Sequence, residues 1–227
     1  MKFLTTPLII FGFLGNASAA VSLSSNDSFD SGLDGWQDGA ATTVVHSTNQ
    51  SWNALPGYLI NTSSGTGGQG RRFLLWNEGD NWTGDYSTAG VTAISMWVDN
   101  RSGAGSTVPL RIALNGPGGW FMSNAASITD VTAGQNEWQL ISYSLDAGNL
   151  SYITGGTNDL ASTLADVSQF EILINATGSA SQGASGNLRG DTIAADIRFD
   201  NIRALPEPSG ISLVLMGLIF GLHRRQR

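Results

Sequence analysis

The chain has 227 residues, of which 41% are apolar and only 13% charged, with 29 glycines and no cysteine. A length of this order suits one β-rich domain flanked by processing segments; the glycine content argues against long helices, and the absence of thiols excludes a disulfide framework and thiol chemistry. Residues 21–205 hold seven arginines and no lysine against seventeen carboxylates, which excludes nucleic acid and anionic lipid headgroups, both of which are held by Lys and Arg, and favours neutral glycans or divalent cations.

Residues 1–20 have the order of a secretory signal peptide: Lys2, an apolar run over 3–14, and small residues at Ala17 and Ala19 before a cleavage point after Ala19 or Ala20. An N-terminal core strand is the competing reading, and passage through the Sec translocon follows from the first. Beyond Trp36 the apolar residues alternate in short runs separated by Gly, Asn, Ser and Asp, the signature of half-buried strands. Strands are expected over 44–46, 57–61, 72–76, 91–100, 110–115, 137–145, 170–175 and 196–203, and one short helix over 158–168. Loop 61–70 is glycine-rich with no helix after it, so it reads as a flexible connection and not as a phosphate cradle. No repeat of solenoid or propeller length is present. Many short strands with polar turns imply an all-β fold, two antiparallel sheets packed as a sandwich or jelly roll.

Within strand 91–100, Ile94, Met96 and Val98 share one face while Ser95, Trp97 and Asp99 share the other. Trp97 therefore sits on the polar side of a well-patterned strand, where an aromatic ring can pack against a sugar; the competing reading is a Trp97 covered by a loop. Arg111 occupies the corresponding face of the following strand and is expected near it. Trp52, Trp76, Trp82 and Trp120 adjoin polar or glycine-rich stretches suited to a loop-borne site, whereas Trp36 and Trp138 read as core or strand-end residues. The candidate ligand-binding residues are thus Trp97, Arg111 and Trp82. Asp80, Asn81 and Asp85 depart from EF-hand spacing. His46 is the sole histidine of 21–205 and no Gly-x-Ser-x-Gly elbow accompanies it, which leaves a Ser-His-Asp triad without support.

From Pro206 the chain runs through Glu207 and Pro208 into an apolar stretch, 211–222, followed by His223, Arg224, Arg225 and Arg227. The stretch is shorter than the roughly 20 residues that cross a bilayer comfortably, and the arginines would stay cytoplasmic. A short C-terminal transmembrane helix is expected, transient or as a lasting anchor. The three parts together resemble the PEP-CTERM sorting signal of Gram-negative bacteria. That resemblance implies recognition by an exosortase, removal near Pro206-Glu207-Pro208, and a final place at the outer surface or in the extracellular matrix. The expected organisation is signal peptide 1–20, sandwich 21–205 and sorting tail 206–227.

Two further resemblances concern the sandwich. Ser28-Phe29-Asp30-Ser31-Gly32-Leu33-Asp34-Gly35-Trp36 resembles the opening of many jelly-roll carbohydrate-binding modules, and Asp196-Ile197-Arg198-Phe199-Asp200-Asn201-Ile202 is similar to their closing strand. The likeness implies adjacent first and last strands with a structural calcium on carboxylates from both, here Asp30 and Asp200. Calcium takes six to eight oxygens, so backbone carbonyls must supply the rest; turn-capping, solvent-facing aspartates are the alternative. The stretch from Trp76 through Trp82-Thr83-Gly84-Asp85-Tyr86 to strand 94–98 resembles the laminin domain IV type of module, also a sandwich. Glu78-Gly79-Asp80-Asn81-Trp82-Thr83 begins like the Glu-x-Asp-x-x-Glu strand of jelly-roll glucanases but ends in Thr83, and retaining glycosidases need two close carboxyl groups. The expected function is therefore polysaccharide or matrix binding without catalytic residues, against a hydrolase or lyase with carboxylates yet to be placed, or a matrix packing protein with no ligand.

Overall fold

The computed structural model describes residues 21–38, 43–50, 56–66, 71–103, 106–124 and 138–206; the expected signal peptide, and the sorting tail beyond Pro206, lie outside the described residues. In chain order the elements are β1 (Asn26–Asp27), β2 (Gln37–Asp38), β3 (Thr43–Gln50), β4 (Pro56–Ser64), β5 (Leu74–Asn77), α1 (Tyr86–Ala89), β6 (Val91–Asn100), β7 (Leu110–Gly116), β8 (Gly119–Ser123), β9 (Gln139–Ser144), β10 (Leu150–Thr154), α2 (Leu160–Ala165), β11 (Gln169–Ile174) and β12 (Ala194–Pro206). Two six-stranded antiparallel sheets face each other. The first runs β3-β4-β12-β6-β9, with β1 also paired to β12; the second runs β10-β8-β7-β11-β5-β2. No helix among the described residues is long and apolar enough to cross a membrane.

Strand alternation builds the core. Leu59, Ile94, Met96, Val98, Ile197 and Phe199 from the first sheet meet Leu75, Leu110, Ile112, Leu114, Phe170 and Ile172 from the second, each contributing about 1.5–3 kcal/mol on full burial. The long strand β12 sends both Phe199 and Ile202 into this core although three positions separate them. A register shift between Asp200 and Arg203, with Asn201 at φ 47°, supplies the phase change that a bulge provides. Asp200 holds that turn through Oδ1, which accepts from Asn201 N at 2.6 Å and Nδ2 at 3.1 Å.

Polar bonds cross between the sheets where side chains cannot interdigitate. Asn61 Nδ2 on β4 donates to the Leu74 carbonyl of β5 at 3.1 Å, and the Tyr143 hydroxyl on β9 donates to the Leu110 carbonyl of β7 at 2.7 Å. A third tie is Asp27. Its Oδ2 accepts from Trp36 Nε1 at 2.7 Å and from Trp82 Nε1 at 2.5 Å, and both indoles pack on Phe170, with ring centroids 5.4 and 5.1 Å away. The opening segment lies against β4 because Gly57, at φ 111°, has no Cβ to strike the Phe29 carbonyl; His46 Nε2 donates to that same carbonyl at 2.6 Å.

The expected helix over 158–168 is shorter, α2, and starts where Asp159 accepts from Ala161 N as an N-cap. Strands β1, β2, β8 and β10 and the single turn of α1 are additions to the expected set. Glu78 to Thr83 forms a turn and not a strand.

Burial raises the Asp27 carboxyl to about 6, against the pull of its two indole donors. The folded state then binds this proton more tightly than the unfolded one, so its contribution is complete below about pH 4 and is lost as pH rises through 6. The advantage of wild type over Asp27→Asn, which keeps an acceptor oxygen but cannot ionise, should shrink by roughly 2 kcal/mol between pH 4 and pH 7 in denaturant titrations. Asp27→Ala, which strands two buried indole N–H groups, should cost about 2–5 kcal/mol at every pH. An advantage that stays constant across this range contradicts the assignment.

Candidate functional site

The two outer faces of the sandwich differ sharply. On the second sheet, Leu74, Ala113, Trp120, Met122 and Leu173 point away from the core yet are buried together with Leu188 from the chain that follows β11. Glu171, midway along β11, is 0% exposed; both its carboxylate oxygens accept from Leu188 N, at 3.3 and 3.2 Å, and Oε1 also accepts from Gln169 Nε2. Burial holds this carboxyl well above the usual range, and the Glu78 carboxylate adds to the shift. This face is thus covered by the protein's own backbone over most of its centre.

The outer face of the first sheet is different. Trp97 on β6 is half-buried and pairs with Leu140 on β9 and with Asp200 on β12. Leu140 is 51% exposed and Val45, on β3, is 44% exposed. Along the next row, Asp99 on β6 pairs with Arg198 on β12, and Arg198 pairs with Ile60 on β4. The Arg198 guanidinium lies 5.3 Å from the centroid of the Tyr58 ring, and Trp138 meets the same ring edge-on at 5.7 Å. Asp99 is 0% exposed and its Oδ2 receives Arg101 Nε at 2.7 Å, with Arg198 Nη1 at 3.8 Å. Burial raises the nearby Asp196 carboxyl, partly offset by Arg198, with Asp99 adding and Arg101 opposing. Arg203 Nε donates to Ser95 Oγ at 3.3 Å on the same face. The result is a strip in which half-buried Trp97, Trp138 and Arg198 and exposed Leu140 and Val45 lie over the buried Tyr58 and Asp99 side chains, a mixture of apolar ground and polar groups of the kind that holds a ring with one apolar face and polar edges.

Of the sequence-derived ligand residues, Trp97 stands on this strip. Arg111 does not: β6 and β7 belong to opposite sheets, and Arg111 lies on the far outer face. There it is buried, with Nε donating to the Asn175 carbonyl at 2.6 Å and Nη1 to the carbonyls of Ser123 and Asn124 at 2.5 and 2.6 Å. Its role is to tie β7 to two loop ends, and burial lowers its pKa. Trp82 is likewise corrected, since it is fully buried in the core with its indole committed to Asp27. Trp120 is buried, Trp76 is half-buried on β5 and Trp52 lies outside the described residues. Asp99 stands on the same face as Trp97, as alternation predicts, and Tyr58, Trp138 and Arg198 join the strip unforeseen.

Asp30 is exposed and accepts from Ser28 Oγ at 2.9 Å, whereas Asp200 is buried at the β12 bulge. The first and last strands are adjacent, since β1 pairs with the end of β12 through Asp27 and Ile202, but Asp30 lies in the bend beyond β1 and not on a strand. No group of three or more His, Asp or Glu side chains placed to hold a metal occurs among the described residues. Side chains alone therefore do not complete a calcium shell here.

No family model matches the chain, and no curated protein matches it in sequence. Solved structures do resemble it in shape. An exo-β-agarase matches with a TM-score of 0.51 at 13% identity, over 80% of this chain and 25% of that one, so the chain spans about a quarter of the agarase. The CBM22-1 xylan-binding domain of Paenibacillus barcinonensis Xyn10C matches with a TM-score of 0.44 at 15% identity, over 84% of this chain and 99% of that domain. A surface glycan-binding protein of Prevotella bryantii gives 0.41 at 13% identity, over 86% of this chain and 57% of that one. The agarase likeness bears out the two-sheet sandwich fold.

Proposed function

We propose that this chain is an exported protein whose sandwich binds a polysaccharide on the outer face of the first sheet, with Trp97 as the main platform. The observation that carries the reading is the contrast between the faces. One is buried under the chain itself, while the other presents a half-buried Trp97 beside exposed Leu140 in a setting of carboxylate and guanidinium groups. The seventeen carboxylates against seven arginines in residues 21–205 point to a neutral glycan over a polyanion. The sandwich shared with part of an exo-β-agarase makes a glycan the ligand class to test first. Export by the Sec translocon, sorting by an exosortase through Pro206, Glu207, Pro208 and the terminal arginines, and residence at a Gram-negative cell surface or matrix rest on the sequence of the two ends.

In affinity electrophoresis against a panel of neutral polysaccharides, wild-type protein should be retarded by at least one. Trp97→Ala should weaken that binding about tenfold or more, a change of 1.4 kcal/mol, with thermal melting unaltered. Equal retardation of wild type and variant, or none on any polysaccharide, overturns the assignment of this face.

Structural calcium at Asp30 and Asp200, completed by backbone carbonyls, is a separate proposal. An ion that binds only the folded state raises its melting temperature. Chelation should then lower the melting temperature in wild type and leave Asp200→Ala unaffected; melting that ignores chelator removes the ion from the account.

A further inference from the structure

The chain between β11 and β12 forms a small hairpin with a defined base and an exposed tip. Gln182 and Leu188 bridge, Gly183 N donates to the Asn187 carbonyl at 2.7 Å, and Arg189 N donates to the Ser181 carbonyl at 2.8 Å. Its base is held by the Asp191 carboxylate, which accepts from Ala176 N at 2.7 Å, and by Arg72 Nη1 donating to the Gly190 carbonyl at 2.8 Å. Residues 181, 182, 184 and 185 at the tip are exposed. What seats the hairpin on the sheet is Leu188: its side chain enters the cluster of Leu74, Ala113, Trp120, Met122 and Leu173, and its N–H reaches Glu171.

We propose that this hairpin is a pH-gated cover over the outer face of the second sheet, latched by the Glu171 carboxyl and released when that carboxyl ionises.

The latch follows from what surrounds Glu171. Its strand neighbours are Trp76 on β5 and Ala113 on β7, and its donors among the described residues are the Leu188 amide and the Gln169 side chain. The charged groups on the packed elements give no counter-charge. Glu78, beyond β5, repels it; Arg111 on β7 is committed to three carbonyls; Asp38 on β2 and Asp191 in the hairpin are acidic; and Arg189 makes no ion pair with it. A neutral acid is tolerated in this setting, but a carboxylate with two long hydrogen bonds and no cation is not. Lifting the hairpin returns water to Glu171 at the cost of exposing Leu188 and its cluster.

Linkage fixes the direction. With the cover open the carboxyl is returned to water and to the usual carboxylate range; with it closed, burial holds it well above that range. Between the two, the closed form binds the proton more tightly, so closure is firmest in acid and weakens by about tenfold for each pH unit of rise. Opening uncovers Trp120, Met122 and Leu173 beside the already half-buried Trp76.

The test is amide hydrogen exchange on the full chain from pH 5 to pH 8, corrected for intrinsic base catalysis. The opening constant at Leu188, whose amide joins the hairpin to the sheet, should rise about tenfold per unit through the lower part of this range, while the Ile172 and Leu114 amides of the central strands keep their protection. Glu171→Gln, which retains an acceptor for the Leu188 amide but cannot ionise, should abolish the slope. Leu188→Ala, which keeps the carboxyl and loosens the cover, should raise opening at every pH and preserve the slope. A flat wild-type profile overturns the proposal. So does a slope that survives Glu171→Gln, no increase in Leu188→Ala, or central-strand amides that exchange in step with the hairpin.

Discussion

One carboxylate oxygen organises the sandwich. Asp27 belongs to β1, which is paired to β12 in the first sheet, while its two donors, Trp36 and Trp82, flank β2 and β5 of the second. With no cysteine in the chain, no covalent bridge fixes the opening segment to the sheet opposite. The Asp27 clip does so by hydrogen bonds that are strong because they are buried and expensive to lose for the same reason. The two indoles then wedge against Phe170, which places β11 at the centre of the second sheet. Tyr143 and Asn61 repeat the device at other points of the core, each carrying a side-chain donor from the first sheet to a backbone carbonyl of the second.

Once the inner faces are committed in this way, strand geometry decides what the outer faces carry. Alternation puts Trp97, Asp99, Arg198 and Tyr58 on one exterior, and Glu171, Trp120 and Leu173 on the other. The exteriors then diverge for a simple reason: the connection between β11 and β12 doubles back over the second sheet, whereas Leu140 and Val45 remain exposed on the first. The same chain thus supplies a surface with exposed apolar ground and a second surface of similar character under a removable cover.

Much of this was legible in the residues. The alternation of Ile94, Met96 and Val98 against Trp97 and Asp99, and that of Leu110, Ile112 and Leu114, is as expected, and the adjacency of the first and last strands is borne out. Strand β8 is not legible in the sequence because all five of its residues are buried, so neither face shows a polar phase to read. Arg111 does not stand beside Trp97 because the chain passes from one sheet to the other between β6 and β7, a crossing that periodicity does not reveal. Trp82 and Trp97 both stand next to polar residues; only the long-range bond to Asp27, 55 positions away, marks the first as core. The β12 bulge is written in Asp200-Asn201, a pair suited to a left-handed turn, yet alternation alone does not say whether such a pair ends a strand or kinks it.

The central functional claim, that the open face of the first sheet takes a glycan while the core and the covered face do not, is tested most directly by following the tryptophan indole N–H resonances during titration with a polysaccharide fragment that retards the protein. The account predicts a saturable shift of the Trp97 signal, a smaller one at Trp138, and unmoved signals for Trp36, Trp82 and Trp120 at a pH that keeps the cover closed. A Trp97 signal that stays in place while Trp76 and Trp120 move would contradict it and transfer the site to the second sheet.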